Sequence, residues 1–554
     1  MKHFKRAAAM LLAVVLSLCL AVTAFAADTE QKTGSLTVTG SGMWNPSESK
    51  GKEVTAIRMF TARVTGDATA DPAQKNEFDS YVLEDAWKGF FTDDSRFSAV
   101  KTAGDITDDA VTADNITKEA LSDAAVAYVK SLKNDETTNV GTLATFAHDA
   151  QKWVRAHADG FNELIKNANA QQVSGDADKT MGTANFDSLT AGYYLVFPEG
   201  GSTGKNSRGT DAILVNVPRD GGNTAVKIKS TFPTVDKQVS NNKTDYKDNT
   251  TAQVGDTVTF KLTAKVPDMT DYTTYKFVFH DTLSNGLAYD AGTVKVTIGG
   301  TEVIKEGNYT VNEPTGESKE LTVTFADLTK VTDATAGKDI VVTYTAKITK
   351  DAVTTKPATN KAYLEYSNNP GTDELGKSNP DESKVYTYDI EIHKFHTEDT
   401  DENRLANATF KLTSDVDGNN VVKLVAETDA NAYHVQGDGE TGVDTVTTDG
   451  TGKINIKGLK AGTYYLHETI APTGYNKLKK PIKIEITVAD GNYTTPSYKV
   501  DDKANTGNTI KVENVKGVML PETGSIGTIG LTALGVAVVL LGVFAPRKKK
   551  KENR

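Results

Sequence analysis

Cysteine is almost missing from this sequence: among 554 residues there is one, Cys19. It lies within an apolar run near the N-terminus, so everything after that run lacks a thiol. An extracellular protein of this size often relies on disulfides, and this chain must be stabilised in another way. Positive charge is also scarce, with 62 Lys and Arg against 73 Asp and Glu and a net charge of −11. Part of it sits at the ends, in Lys2, Lys5 and Arg6 and in Arg547 and Lys548 to Lys551, so the stretch between them is more acidic still. Such a surface repels nucleic acid and anionic membranes. The eight histidines form no ligand-spaced pair, and neither a metal site nor a cofactor is expected. Long apolar runs are confined to the two ends, Ala7 to Ala24 and Ile526 to Pro546.

Both ends have the order of targeting segments. The basic start, the apolar run and Ala24-Phe25-Ala26 fit a secretory signal peptide over residues 1–26. Cys19 does not make it a lipoprotein signal, because Leu18 precedes it where a small residue is needed. At the other end, Leu520-Pro521-Glu522-Thr523-Gly524 is followed by an apolar stretch about long enough to cross a bilayer and then by a basic tail that would stay in the cytoplasm. Leu-Pro-x-Thr-Gly followed by these two parts resembles the cell-wall sorting signal read by sortases. The resemblance implies that a sortase cysteine attacks the Thr523 carbonyl and releases Gly524 onward. The product is a secreted, wall-anchored surface protein.

Between the ends, threonine, valine and tyrosine are abundant and short alternating runs recur. This favours a mainly β protein of tandem Ig-like β-sandwiches. Ser35 to Val38, Glu53 to Val64, Gly192 to Phe197 and Ala212 to Val217 read as strands. Helix-spaced apolar residues in Phe78 to Leu83, Ala120 to Leu132 and Thr142 to Ile165 predict a helical insertion in the first domain. The expected domains are 27–230; 231–383, whose last part from Asn368 is a polar Gly/Pro/Asn-rich linker; 384–517; and the sorting segment 518–554.

Strand periodicity exposes six polar residues in the wrong place. Residues two apart share a face of a strand. Val235, Lys237 and Val239 line up, as do Phe277, Phe279 and Asp281, and Asn360, Ala362 and Leu364. In the third domain Ile390, Ile392 and Lys394 share a face, as do Tyr464, Leu466 and Glu468, and Ile510, Val512 and Asn514. The second and third domains thus each aim a lysine, an acid and an asparagine at the core. A lone buried charge costs several kcal/mol. One solution is a buried salt bridge with a hydrogen-bonded asparagine. The other is chemical. Desolvation lowers a lysine pKa and raises that of a carboxylic acid, so a neutral amine attacks the asparagine amide carbon while the acid moves protons. Ammonia leaves and an amide crosslink remains, closing a long loop as a disulfide would. The opening strand of the first domain, Ser35 to Thr39, has no lysine, and no such link is expected there.

Tyr464-Tyr465-Leu466-His467-Glu468-Thr469-Ile470-Ala471-Pro472-Thr473-Gly474-Tyr475 resembles the E-box of Gram-positive pilins and CnaB-type domains. By that resemblance Glu468 promotes an isopeptide bond between Lys394, in Ile-x-Ile-x-Lys, and Asn514, in Val-Glu-Asn. The second domain resembles the pilin middle domain. Pro233 to Lys237 opens it, His280-Asp281-Thr282-Leu283 carries the acid and Asn360-Lys361-Ala362 holds the asparagine, which implies a Lys237–Asn360 bond promoted by Asp281. With the anchor, the chain resembles major pilins of the SpaA type, shaft subunits of a covalent pilus serving adhesion. The family usually carries its acceptor lysine in a Tyr-Pro-Lys-Asn motif closing the first domain. This chain departs from it with Val226-Lys227-Ile228-Lys229-Ser230-Thr231-Phe232-Pro233. Lys229 lies closest to the family position, and Lys227 also points away from Val226 and Ile228. The implied partners are a class C (pilus) sortase, a housekeeping sortase, other copies of the chain, peptidoglycan, minor pilins and a host ligand of unknown kind. The competing reading is a monomeric wall-anchored adhesin or tip subunit.

Short motifs elsewhere carry little. Gly200-Gly201-Ser202-Thr203-Gly204 lacks a strand-to-helix elbow, and Gly437-Asp438-Gly439-Glu440-Thr441-Gly442 lacks a following helix. Asp415-Val416-Asp417-Gly418 misplaces the glycine of a calcium loop and is expected to be a solvated turn. The only chemistry in view is self-directed and does not turn over, so the chain is not expected to be an enzyme.

Overall fold

A computed structural model describes residues 33–46, 49–63, 80–133, 142–176, 179–199, 212–218, 221–228, 232–270, 272–315, 318–352, 356–368, 373, 375–489 and 491–517. The signal peptide, the loop with Gly200 to Gly204, Lys229, and the sorting motif with Thr523 and Gly524 lie outside them. The chain falls into two compact units. One holds the described residues to Thr250 with 257–347 and 358–385; the other holds 251–256, 348–357 and the described residues from Tyr386. Strands dominate, and among the described residues the α-helices are confined to the first part.

The first block pairs two sheets. Strand β1 (Thr33–Gly40) lies between β8 (Asn223–Ile228) and β5 (Gly182–Thr190), while β2 (Glu53–Arg63) pairs with β3 (Ser80–Leu83), β4 (Ile165–Asn169) and β6 (Gly192–Pro198), and β6 with β7 (Ile213–Val217). Leu36, Val38, Val54, Ala56, Val196 and Val215 form the core between the sheets. The other face of β2 is buried as well: Ile57, Met59 and Phe60 pack on the insertion, with a register shift between Arg58 and Phe60. The insertion contains α1 (Asp94–Ala103), α2 (Lys118–Ser131) and α3 (Thr142–Ala156). Asp93 caps α1 by accepting from Ser95 N at 3.1 Å, and Thr117 caps α2 by accepting from Ala120 N at 3.2 Å.

Two helix expectations here are corrected. Ser80 to Leu83 form β3, antiparallel to β2 with Leu83 opposite Phe60; residues 78 and 79 of the expected helix lie outside the described residues. The third helix stops at Ala156, and Ile165 starts β4 opposite Ile57. In both places an open edge of β2 supplies hydrogen bonds that a short helix would have to find alone.

The middle block is a sandwich. One sheet runs β9 (Val235–Ser240), β10 (Thr257–Lys265), β14 (Asp339–Ile348), β12 (Lys295–Ile298); the other runs β16 (Asp381–Tyr386), β15 (Ala358–Ser367), β11 (Phe277–Leu283), β13 (Glu320–Phe325). The segment read as a linker is therefore partly sheet: Leu375–Lys377 pairs with β15, and β16 pairs with it from Ala358↔Val385 to Ala362↔Asp381. Its polar outward positions hid the apolar alternation of Val385 with the buried Ser383.

The third block is a second sandwich. β17 (Tyr388–Phe395) pairs with β20 (Lys453–Leu459) and runs parallel to β24 (Thr509–Glu513), while β19 (Ala432–Val435) lies beside β20. The facing sheet runs β18 (Thr409–Thr413), β21 (Gly462–Ile470), β22 (Ile482–Ala489), β23 (Asn492–Val500).

The helical core of the first block rests on aromatic contacts. Phe146 is 3% exposed and meets Phe90, Phe91 and Tyr128 at ring distances of 5.4, 5.9 and 6.1 Å. Phe146→Ala should cost about 3–5 kcal/mol. Differential scanning calorimetry should show one melting transition falling while the others hold; an unchanged profile would contradict this packing.

Candidate functional site

All six polar residues flagged by strand periodicity are buried. Lys237, Asn360 and Lys394 are 0% exposed, Asp281 and Asn514 1%, and Glu468 4%. They form two separate clusters, one per sandwich.

In the middle sandwich Lys237 comes from the edge strand β9, whose register puts it opposite Leu262. Asp281 and Asn360 come from the facing sheet, where β11 and β15 pair with Leu283 opposite Asn360. The ammonium of Lys237 donates to Asp281 Oδ2 at 2.7 Å. The Tyr344 hydroxyl, carried across by β14, donates to the same oxygen at 2.7 Å. Asn360 Nδ2 in turn donates to the Tyr344 hydroxyl. Lys237 and Asn360 are thus joined through Asp281 and Tyr344. Asp281 Oδ1 and Asn360 Oδ1 are both buried without a hydrogen-bond partner. Phe260 floors the pocket, its ring centre 4.9 Å from Lys237 Nζ. Burial pushes the Lys237 amine down, with Asp281 opposing, and pushes the Asp281 carboxyl up, with Lys237 opposing. Burial also holds the Tyr344 hydroxyl well above its ordinary range.

The third sandwich does the same with adjacent strands. β17 and β24 are parallel with Lys394 opposite Val512, which brings Asn514 beside the end of the lysine. Lys394 Nζ donates to Asn514 Oδ1 and, at 3.1 Å, to Val512 O. Glu468 reaches over from β21: its Oε1 accepts from Asn514 Nδ2 at 2.9 Å and stands 3.7 Å from Lys394 Nζ, while Oε2 accepts from Leu478 N at 2.8 Å. Gly452 lets a turn close against β17, since a Cβ there would lie 2.7 Å from the Lys394 carbonyl oxygen. Burial holds the Lys394 amine down to about 8 against the pull of Glu468.

Each cluster has an amine, an amide and a carboxyl in one dry pocket. Sequence reasoning missed two participants. Tyr344 shares a strand face with Val342 and Ala346 and looks like one more core aromatic; only its polar tip, which needs a partner when buried, hinted otherwise. Asp381, in the supposed linker, accepts from the backbone N of Lys237 at 2.7 Å and fixes β9 at that residue. Of the candidate acceptors, Lys227 is exposed on β8 between half-buried Val226 and buried Ile228. Asp415 accepts from the backbone N of Asn419 and Asn420 in an exposed turn. The Gly437 loop closes on itself, with Glu440 accepting from Gly437 N at 2.7 Å. Among the described residues no group of three or more His, Cys, Asp or Glu is placed to hold a metal ion, and no helix is long and apolar enough to cross a membrane.

Comparison with known proteins finds pilin-type domains and a wall-anchor motif in this chain. Residues 254–370 match the family model for the Gram-positive pilin backbone subunit 2, Cna-B-like domain, residues 389–504 that for the SpaA prealbumin-like fold domain, and residues 513–554 that for the LPXTG cell wall anchor motif. The chain is 26% identical over 425 residues to fimbrial subunit type 2 of Actinomyces naeslundii, spanning 70% of this chain and 75% of that one. It is 24% identical over 452 residues to the trypsin-resistant surface T6 protein of Streptococcus pyogenes serotype M6, spanning 67% and 81%. The solved structure of the major pilin SpaA of Corynebacterium diphtheriae matches with a TM-score of 0.43 at 17% identity, covering 87% of this chain and 99% of that one. With pilin-type domains in tandem and the wall-anchor motif behind them, the chain is similar to the LPXTG-anchored Gram-positive backbone pilins with CnaB-like domains, and it is a secreted surface protein held at the cell wall.

Proposed function

We propose that this chain is the repeating shaft subunit of a sortase-assembled covalent pilus, locked internally by isopeptide bonds Lys237–Asn360 and Lys394–Asn514. The observation that carries the reading is the complete burial of a lysine beside an acid and an asparagine in each of two sandwiches that have no cysteine. Paired burial alone explains little stability, because desolvation offsets most of the Coulomb gain. A covalent product removes the charges altogether. The Lys Nζ lone pair forms a bond to the asparagine Cγ, the Cγ–Nδ2 bond breaks, and ammonia leaves with a proton that began on the amine. Asp281 and Glu468 move that proton. The two orphaned oxygens of Asp281 and Asn360 fit the same chemistry: a proton carried by Asp281 makes a donor in a pocket that otherwise holds two unmatched acceptors.

Assembly uses the ends. A class C sortase takes Thr523 as an acyl group, with Gly524 onward as leaving group, and passes it to the amine of Lys229 in the next subunit. A housekeeping sortase joins the last subunit to peptidoglycan, and minor pilins complete a fibre that serves adhesion. Lys237 and Lys394 are unsuited as acceptors because they are buried. The expected structural domains remain 27–230, 231–383 and 384–517. One relative is named for trypsin resistance, and the two internal links would give this chain the same property in its second and third domains.

Peptide mass spectrometry of the mature chain should find two linked pairs, each short by one ammonia, and no linked pair within residues 27–230. Asp281→Ala should abolish only Lys237–Asn360, and Glu468→Ala only Lys394–Asn514. Full, unreduced masses would sink the proposal.

The attacking lysine must be neutral. With Lys394 held to about 8, the neutral fraction falls about tenfold per pH unit below that value. A chain made cell-free, kept unfolded and then refolded at set pH should form Lys394–Asn514 about tenfold more slowly at pH 6 than at pH 7, with the rate levelling above about pH 8. Before linkage the sign of the stability change is fixed as well. The unfolded lysine has its ordinary value of 10.5 and binds more protons than the folded one between the two values, so stability rises with pH across that window. A rate flat from pH 6 to 9 would contradict the amine assignment.

For assembly, wall extracts of the native host boiled in detergent should show a high-molecular-weight ladder that Lys229→Ala abolishes and Lys227→Ala leaves. A ladder lost only with Lys227→Ala moves the acceptor to that exposed residue. No ladder in the wild type favours the monomeric adhesin.

A further inference from the structure

The two clusters solve one geometric problem differently. In the third sandwich a single carboxylate oxygen, Glu468 Oε1, accepts from the departing nitrogen Asn514 Nδ2 at 2.9 Å while standing 3.7 Å from the attacking Lys394 Nζ. In the middle sandwich the acid is an aspartate, one methylene shorter. Asp281 Oδ2 touches the attacking Lys237 Nζ at 2.7 Å, yet the departing Asn360 Nδ2 makes its bond to the Tyr344 hydroxyl, and that hydroxyl binds Asp281 Oδ2 at 2.7 Å. Tyr344 is fully buried, so no bulk water competes for this position.

The geometry points to Tyr344 as a catalytic residue of the Lys237–Asn360 reaction, a proton relay that lets Asp281 reach the leaving nitrogen. The inference rests on the crosslink reading above. The steps balance as follows. A proton moves from Lys237 Nζ to Asp281, leaving a neutral amine. The Nζ lone pair attacks Cγ of Asn360 and the carbonyl pair moves onto Oδ1. Nδ2 becomes pyramidal and regains a lone pair. Asp281 gives its proton to the Tyr344 oxygen while Tyr344 gives its own to Nδ2. The Oδ1 pair re-forms the carbonyl, the Cγ–Nδ2 bond breaks and ammonia leaves. Asp281 then takes a proton from the new amide nitrogen, Nζ. Tyr344 ends as it began and never carries net charge, which suits a hydroxyl in so dry a pocket.

Tyr344→Phe removes one oxygen and leaves the ring that packs 5.4 Å from Phe260. The full chain, made cell-free and sampled over time, is digested, and the fraction of each lysine peptide joined to its asparagine peptide is followed. The wild type should form both links. Tyr344→Phe should form Lys394–Asn514 at the wild-type rate and Lys237–Asn360 at least about tenfold more slowly. The double variant Asp281→Glu with Tyr344→Phe should recover much of the lost rate, because the longer acid reaches Nδ2 itself and its extra methylene fills the space of the lost hydroxyl. A purely structural tyrosine would not be rescued by lengthening the acid. Equal rates in Tyr344→Phe and wild type overturn the relay, as does a double variant no faster than the single one. A wild type that never forms Lys237–Asn360 sinks the crosslink reading itself, and the relay with it.

Discussion

Everything in the middle and third sandwiches turns on placing a lysine where water cannot reach it. A lysine on the apolar face of a strand is unstable as a lone charge, so the fold must bring an acid to it. That acid must itself be buried, and its remaining hydrogen-bonding capacity must be met from nearby. For Glu468 the Asn514 amide and the Leu478 backbone N–H meet it; for Asp281 the Tyr344 hydroxyl meets it at Oδ2 and leaves Oδ1 without a partner. The polar cluster therefore dictates register: a slip by one residue in β9 or β17 would turn Lys237 or Lys394 outward.

The two sandwiches apply that constraint in different topologies. In the middle block the lysine and the asparagine belong to opposite sheets, so the proposed bond would staple the sandwich through its core. In the third block they lie on neighbouring parallel strands, and the bond would stitch one sheet laterally while the acid comes from the sheet opposite. Lys394 and Asn514 are 120 residues apart in sequence. In the chain-entropy model, closing a loop of this order restricts the unfolded state by about 4–5 kcal/mol. That is the scale of contribution a disulfide would make in a chain with cysteine to spare.

Much of this was legible in the sequence because β-strand periodicity is strict. With a period of two, one wrong polar residue on an apolar face is visible, and Lys237, Asp281, Asn360, Lys394, Glu468 and Asn514 were all visible in that way. The same rule failed where a residue is amphipathic by nature. Tyr344 alternates with Val342 and Ala346 as any core aromatic would, and nothing in its strand says that its hydroxyl meets an acid from the other sheet. It failed again where pairing is decided by a distant partner. Tyr81 to Leu83 and Ile165 are strands because β2 offers its edge to both, and no local pattern reports that. The linker reading of residues 368–383 failed because polar outward positions outnumber the few inward ones that pair β16 to β15.

That misread segment matters most for mechanics. In a fibre joined from Thr523 to Lys229, tension would enter each middle block near Lys237, pass through the proposed link to Asn360, follow the backbone to Lys394, and cross the second link to Asn514. Residues 238–359 and 395–513 would be bypassed, because a covalent link in parallel with a chain segment carries the force before that segment can lengthen. The stretch 361–393 has no such bypass. It holds the rest of β15, the pairing of Leu375–Lys377, and β16. Its resistance is non-covalent: the ladder of β15 with β16, the bond from Lys237 N to the Asp381 carboxylate at 2.7 Å, and the buried apolar side chains of Leu364, Tyr366 and Val385. The segment with the least obvious structure in the sequence is thus the one where packing and backbone hydrogen bonds, and no covalent bypass, would set how far a subunit stretches.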